Sequence, residues 1–176
     1  MDSPDEELML AYGGGDAGAF ETLYARHRGG LFRFVRRAVK DRGIAEELFQ
    51  EIWVRVIESR GRYAPKARFT TWLYTIAHNL MVDHWRRKGL TLVSLDGEDV
   101  AIESADPGRQ AQGRQALSRL LQALEALPAA QREVFLLHQE GGLSVAEIAV
   151  VTGADEEAVK SRLRYAMAKL KAAADD

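Results

Sequence analysis

The chain has 176 residues, of which 47% are hydrophobic and 28% are charged, and its net charge is −2. It contains no cysteine, which excludes disulfide bonds and thiolate metal sites and is typical of a protein from the reducing cytoplasm. The acidic first residues do not resemble a signal peptide, and no apolar run approaches the ~18 residues of a membrane span, so we expect no membrane insertion.

The small net charge hides an uneven distribution along the chain. Residues 1–19 carry five acidic and no basic side chains, whereas residues 20–90 carry 15 Lys or Arg and seven Asp or Glu. The segment 20–90 therefore has a net charge of +8, while residues 91–130 and 131–176 have −3 and −2. A basic segment inside an acidic protein indicates a local surface for a polyanion such as nucleic acid.

The first 88 residues are predicted to form a helical domain. A short acidic helix over 4–18 ends in three consecutive glycines, and three long amphipathic helices follow. We place these helices near 17–40, 43–60 and 69–88.

The helix at 43–60 has an acidic side opposite its apolar stripe. Glu47 and Glu51 are four residues apart, with Gln50 beside them. Like charges at this spacing destabilise a helix by a few tenths of a kcal/mol, so nothing local favours them. They are either a docking face for a basic partner helix or a solvated face near the helix N-terminus, where carboxylates are favoured. Periodicity alone leaves both interpretations open.

The loop at 63–68 and the helix at 69–88 interleave aromatic and cationic side chains. The polar and aromatic candidates for nucleic-acid contact are Lys66, Arg68, Trp72, Asn79, Asp83, Arg86 and Arg87. Bases of a single strand stack on aromatic rings while Lys and Arg hold the phosphates, at about 1–3 kcal/mol per stacked base. The alternative is that Trp72 and Trp85 belong to the core and the terminal cations complement the helix dipole.

No catalytic or metal-binding arrangement stands out in the chain. His78 and His84 are six residues apart, so they lie on different sides of a helix, and neither an HxxxH nor an HExxH pattern is present. We therefore expect no metal, no cofactor and no enzymatic activity.

A turn-rich, acidic linker is predicted over 89–112, followed by a second helical domain over 113–176. Its first helices are expected at 113–126 and 128–140. Pro128 is expected at the first helical position, where its missing N–H costs nothing.

The second domain ends in a predicted helix-turn-helix. Ser144 is expected to cap the first helix and Glu147 to complete a capping box, while Gly153 ends that helix in the left-handed conformation. Asp155 can cap the second helix. Its inward stripe is predicted to be Val159, Leu163, Ala166, Met167 and Leu170. The side chains left on the other side are Lys160, Ser161, Arg164 and Tyr165, a set that suits a helix entering the major groove.

Taken together, these segments resemble a bacterial RNA polymerase sigma factor of the extracytoplasmic-function (ECF) type. The resemblance covers nearly the whole chain. It rests on DAGAFETLY at 16–24, EELFQEIW at 46–53, FTTWLYTIAHN at 69–79, DHWRR at 83–87, LPAAQREVF at 127–135, LSVAEIA at 143–149 and VKSRL at 159–163.

The resemblance implies an all-α protein with two small helical domains and separate tasks for each. Residues 1–88 would bind core RNA polymerase, through Glu47, Gln50 and Glu51 on the coiled coil of the largest-subunit clamp. The same domain would read and help melt the −10 promoter element, through the seven candidates of the loop 63–68 and the helix 69–88. Residues 113–176 would bind the −35 element as duplex DNA, and the residues implied are Lys160, Ser161, Arg162, Arg164 and Tyr165. Promoter DNA and core polymerase are thus the expected partners, and the sequence leaves open whether an anti-sigma protein is another.

One departure from the family pattern lies at the start of the recognition helix. Many relatives have Gly-Thr before the Val-Lys-Ser-Arg run, whereas this chain has Glu157 and Ala158.

An autonomous helix-turn-helix regulator is the alternative function. It is disfavoured because residues 131–176 have a net charge of −2 and few cations to contact phosphates.

Overall fold

The computed structural model describes residues 2–89 and 112–175, which contain eight α-helices and no β-strand. The predicted all-α fold is confirmed. The helices are α1 (Asp5–Gly13), α2 (Ala17–Ala38), α3 (Arg42–Glu58), α4 (Phe69–Arg87), α5 (Gln112–Ala126), α6 (Ala129–Gln139), α7 (Val145–Thr152) and α8 (Glu156–Asp175). The predicted linker falls outside the described residues except for Gly89 and Gln112.

One predicted helix end and one predicted helix start differ from the structure. The acidic helix expected over 4–18 ends at Gly13, and α2 begins afresh at Ala17 because the Asp16 carboxylate accepts a hydrogen bond from the Ala19 amide at 3.3 Å. Pro128 does not occupy the first helical position. Its ψ of 144° is extended, so it is the N-cap residue, and α6 begins one residue later.

The helix-turn-helix forms as its sequence predicts. The Ser144 hydroxyl accepts from the Glu147 amide and the Glu147 carboxylate accepts from the Ser144 amide, both at 3.1 Å, which completes the capping box. Gly153 ends α7 with a φ of +74°, a conformation that L side chains rarely adopt. The Asp155 carboxylate then accepts from the Ala158 amide at 2.7 Å and so caps α8.

The apolar stripes point inward with one exception. Leu48, Ile52 and Val56 of α3 are buried. In α8, Val159, Ala166 and Leu170 are buried and Leu163 is half-buried. The prediction for Met167 is wrong, because its side chain is 52% exposed. The buried side of α8 is narrow, and Met167 lies about 100° around the helix from Ala166.

Both halves of the chain share one hydrophobic core. The buried side chains on either side of the linker form a single contiguous cluster. Within it α4 packs against α7, and α2 packs against α6. The helix-turn-helix therefore lies directly against the helix predicted to read the −10 element. No helix in the two described ranges is long and apolar enough to cross a membrane.

Candidate polymerase-binding and DNA-binding surfaces

The acidic face of α3, defined here as Glu47, Gln50 and Glu51, points away from the core. Glu47 and Gln50 are exposed, and Glu51 is half-buried. Glu51 forms a 3.9 Å ion pair with Arg55 one turn later, at a partly exposed position where such pairs contribute little. Among the residues that the structure describes, Glu47 forms no ion pair. The face therefore presents carboxylates that a basic helix could reach.

The outer side of α4 carries four of the predicted −10 contacts. Asn79, Asp83, Arg86 and Arg87 are all exposed, and the Arg87 guanidinium donates to the Asp83 carbonyl oxygen at 3.4 Å. Burial, together with the cations Lys88 and Arg87, lowers the pKa of the neighbouring His84, which favours its neutral form near pH 7. The end of α4 thus keeps its permanent positive charge on the two arginines and Lys88.

The beginning of α4 is built around aromatic rings. Trp72 is half-buried, and its ring lies 5.0 Å from Tyr63 and 5.7 Å from Phe69. Trp85 is 8% exposed and belongs to the core. Burial, with Glu6 and Asp5 nearby, raises the pKa of Tyr63 to about 12. Its ring is therefore a neutral packing surface for Trp72.

The start of α4 also donates a hydrogen bond to a distant helix. Arg68, at the N-cap position, makes no side-chain capping bond. Instead, the Glu6 carboxylate of α1 accepts from the Phe69 amide at 2.8 Å. Asp5 of the same helix contacts Arg26 at 2.9 Å and His27 at 2.8 Å on α2. The acidic N-terminal helix thus ties α2 to α4.

The two cations of the loop before α4 differ in their surroundings. Lys66 is exposed. Arg68 is ion-paired across the two halves, because its guanidinium lies 3.2 Å from the Glu147 carboxylate. The Thr71 hydroxyl donates to the other oxygen of the same carboxylate at 2.8 Å. The structure therefore separates Arg68 from the four outer residues of α4 and places it at the contact with the helix-turn-helix.

The predicted −35 contacts fall on two sides of α8. Lys160, Arg164 and Tyr165 are exposed, and the Arg164 guanidinium lies 5.6 Å from the centre of the Tyr165 ring. Lys160 is 3.3 Å from Glu157, the carboxylate that departs from the family pattern. Ser161 and Arg162 are half-buried. Arg162 lines a cavity of about 190 Å³ beside His78 and Glu133, between the two halves.

The contact between the halves uses residues that sequence analysis did not assign to it. His78 is 8% exposed and hydrogen-bonds through Nδ1 to the carboxylate of Glu133, which is 5% exposed. Arg33 lies 2.9 Å from Glu140 at another point of the same contact. These pairs are 55 and 107 residues apart in sequence, so no local pattern connects them. Within the described ranges, no three His, Asp or Glu side chains could hold a metal ion.

Two family models match successive parts of the chain, in the same order as the sequence motifs. The model of Sigma-70 region 2 matches residues 23–91, and that of Sigma-70 region 4 matches residues 117–170. The RNA polymerase sigma factor CarQ of Myxococcus xanthus is 33% identical over 169 residues, which covers 93% of each chain. The ECF RNA polymerase sigma factor BldN of Streptomyces coelicolor is 33% identical over 162 residues, covering 90% of this chain and 61% of BldN.

Two solved structures are similar over most of their length. CnrH in complex with the cytosolic domain of CnrY has a TM-score of 0.69 and 28% identity, and the match covers 97% of each chain. RpoE of Bartonella quintana in complex with the anti-sigma factor NepR has a TM-score of 0.69 and 25% identity, over 88% of this chain and 95% of RpoE.

Proposed function

Because the chain belongs to the RNA polymerase sigma factors of the ECF type, we propose that its two matched regions divide promoter recognition between them. The chain binds core RNA polymerase and directs transcription from specific promoters. It acts in the cytoplasm as a dissociable, non-enzymatic subunit. The observation that carries this assignment is that α3, α4 and α8 each bury an apolar side and leave a separate charged side exposed.

The acidic face of α3 is the proposed contact with the coiled coil of the largest-subunit clamp. Glu47, Gln50 and Glu51 do not take part in the core, so they are available to a partner. Glu51→Arg should weaken binding to core polymerase without unfolding the chain, because it places repulsive charge at the centre of this face. The matched control is Glu58→Arg, which reverses an exposed charge at the end of the same helix.

The outer side of α4 and the preceding loop are the proposed −10 surface. Arg86, Arg87 and Lys66 supply cations for the phosphates of the single strand, while Asn79 and Asp83 offer hydrogen-bonding groups for base edges. Trp72 presents the partly open edge of an aromatic cluster, on which an unstacked base can pack. This assignment supports strand capture during melting rather than recognition of intact duplex.

The exposed side of α8 is the proposed −35 surface. Lys160 and Arg164 lie one turn apart on the exposed side of a recognition helix, with Tyr165 next to Arg164, and a helix-turn-helix presents such a side to the major groove. Lys160 must leave Glu157 to contact a phosphate, so the acidic departure reduces its affinity for free duplex DNA. A recognition helix whose first turn carries Glu156 and Glu157 is better suited to act on a promoter while core polymerase holds the complex together.

Reconstituted transcription tests the function directly. Purified chain and core polymerase are mixed on the DNA upstream of the chain's own gene, and transcripts are mapped. Specific initiation should require both proteins, and Glu51→Arg should reduce it while Glu58→Arg should not. Tight binding of duplex DNA by the chain alone, with no effect of core polymerase on transcription, would instead identify an autonomous regulator.

A further inference from the structure

Glu157 lies at the centre of the exposed side of α8. Its side chain is 85% exposed and belongs to the first turn of the helix. At about 100° per residue, Glu157 lies about 160° around the helix axis from the buried Val159. Ser161 and Arg164 lie on the same side, four and seven residues later. The opposite side of α8 packs against α5, α6 and α7, so Glu157 faces away from the core.

The fold does not depend on the Glu157 carboxylate. Asp155 already caps α8, because its side chain accepts a hydrogen bond from the Ala158 amide. Among the residues that the structure describes, the partner of Glu157 is Lys160, at 3.3 Å. An ion pair between two exposed side chains contributes little to stability, so the carboxylate can exchange Lys160 for another donor at little cost.

The position of Glu157 in the helix-turn-helix brings it close to the bases. The N-terminal residues of a recognition helix contact base edges in the major groove. A carboxylate in that place is repelled by the neighbouring phosphates, and this repulsion lowers the affinity for every DNA sequence. A hydrogen-bond donor on a base offsets the cost for one sequence and not for the others. Glu157 is therefore placed to act on specificity.

The chemistry of a carboxylate selects one of the four bases. A carboxylate accepts hydrogen bonds and donates none, so it needs a donor on the base edge. In the major groove guanine offers acceptors alone, and thymine offers an acceptor and a methyl group. Adenine offers a donor beside its N7 acceptor, which repels a carboxylate. Cytosine presents the N4 amino group as a donor and has no acceptor there, so it is the base that fits.

We propose that Glu157 determines specificity at one position of the −35 element, where its carboxylate accepts a hydrogen bond from the N4 amino group of a cytosine. The proposal rests on the assigned role of α8 at the −35 element. Lys160 is released when this bond forms, and its ammonium group can then contact a phosphate. The carboxylate thus lowers the general affinity for DNA and raises the discrimination between base pairs.

Two substitutions distinguish base recognition from a general effect of charge. Glu157→Ala removes the acceptor. Glu157→Gln offers a donor and an acceptor together, the combination that pairs with N6 and N7 of adenine. The matched control is Glu156→Gln, which removes the same charge from another exposed side chain of the same turn, about 60° around the axis from Val159. All three variants alter exposed side chains, and circular dichroism checks that their helix content is unchanged.

The assay measures base preference in the complex of the chain with core polymerase. The transcription start is mapped first, the −35 region of that promoter is then randomised, and the bound sequences are determined. The unmodified chain and Glu156→Gln should both favour cytosine about tenfold over guanine or thymine at one position. Glu157→Gln should favour adenine at this position and Glu157→Ala should show no preference there, while the other positions should stay the same.

Identical base preferences in the unmodified chain, Glu157→Ala and Glu157→Gln would overturn the proposal, and so would loss of the cytosine preference in Glu156→Gln. A fully randomised duplex is also offered to the free chain at low salt, where phosphate contacts are strongest. That selection tests Glu157 without core polymerase. Failure of the proposed function would appear separately, as transcription that is the same with and without the chain.

Discussion

The buried hydrogen bond between His78 and Glu133 provides a quantitative test of how the two halves are held together. The side chains are 8% and 5% exposed, and within the described ranges Glu133 has no other hydrogen bond. His78→Leu keeps a side chain of similar volume and removes the partner of the carboxylate. Breaking a buried pair by removing one member costs about 3–5 kcal/mol when the other member stays buried.

The chain can avoid part of this penalty by opening. If the halves separate, Glu133 returns to water and the remaining cost is the free energy that held them together. The loss of unfolding free energy in His78→Leu should therefore equal either the cost of keeping the unpaired carboxylate buried or the free energy that held the halves together, whichever is smaller. Its upper bound is about 3–5 kcal/mol. The chain has no native cysteine, so the exposed Glu21 of α2 and Lys171 of α8 can be replaced by cysteine and labelled with a fluorescent donor and acceptor. Energy transfer between these labels should fall in the same variant.

Urea unfolding followed by circular dichroism at pH 7 measures the loss of unfolding free energy, and energy transfer in the labelled chain measures whether the halves separate. The double variant His78→Leu, Glu133→Leu replaces the pair by apolar groups, so it should return to within about 1 kcal/mol of the original stability or exceed it. A loss below ~0.5 kcal/mol in His78→Leu, with unchanged energy transfer, would refute the reasoning, because the carboxylate would then be adequately solvated without its partner.

Three further outcomes follow from single side chains. The pKa of Glu147 is lowered in the folded chain, so its contribution to the contact between the two halves is complete above the ordinary value of 4.5 and is lost as the pH falls through the folded pKa. Energy transfer in the labelled chain should therefore drop only in that acidic range, and Glu147→Gln should not show the transition. Gly153→Ala should lower the free energy of unfolding by about 1–2 kcal/mol, because an added Cβ meets no atom within 4 Å and the whole cost is the φ of +74°; an unchanged urea midpoint would contradict this. Lys160→Ala should reduce the slope of log affinity against log salt by about one on a −35 duplex bound with core polymerase, and an unaltered slope would assign Lys160 another role.

Local structure was predictable where one short segment contains all the interacting groups. Ser144, Glu147 and Gly153 specify the ends of α7 through bonds that span three or four residues, and the structure contains them as predicted. The apolar stripe of α3 was predictable for the same reason, since helical periodicity repeats within the segment. Met167 was assigned wrongly because spacing alone does not give the width of the buried side.

The contact between the halves was not predictable in this way. His78 was weighed only against a metal site, because nothing within its own helix indicates a partner 55 residues away. Thr71 was part of a family motif, but that motif does not specify the acceptor of its hydroxyl, and Glu147 was fully explained by its local cap. The assignments of individual polymerase and DNA contacts remain predictions that the experiments above address.

Because the Phe69 amide donates a hydrogen bond to Glu6, the first turn of α4 depends on a residue outside its own helix. A peptide cut from residues 69–87 would lack that acceptor and should fray at the end that adjoins the loop. Fragments intended to isolate strand capture therefore need to retain the acidic N-terminal helix. Conversely, a bulky fusion that displaces this helix would loosen a site more than sixty residues away without touching it.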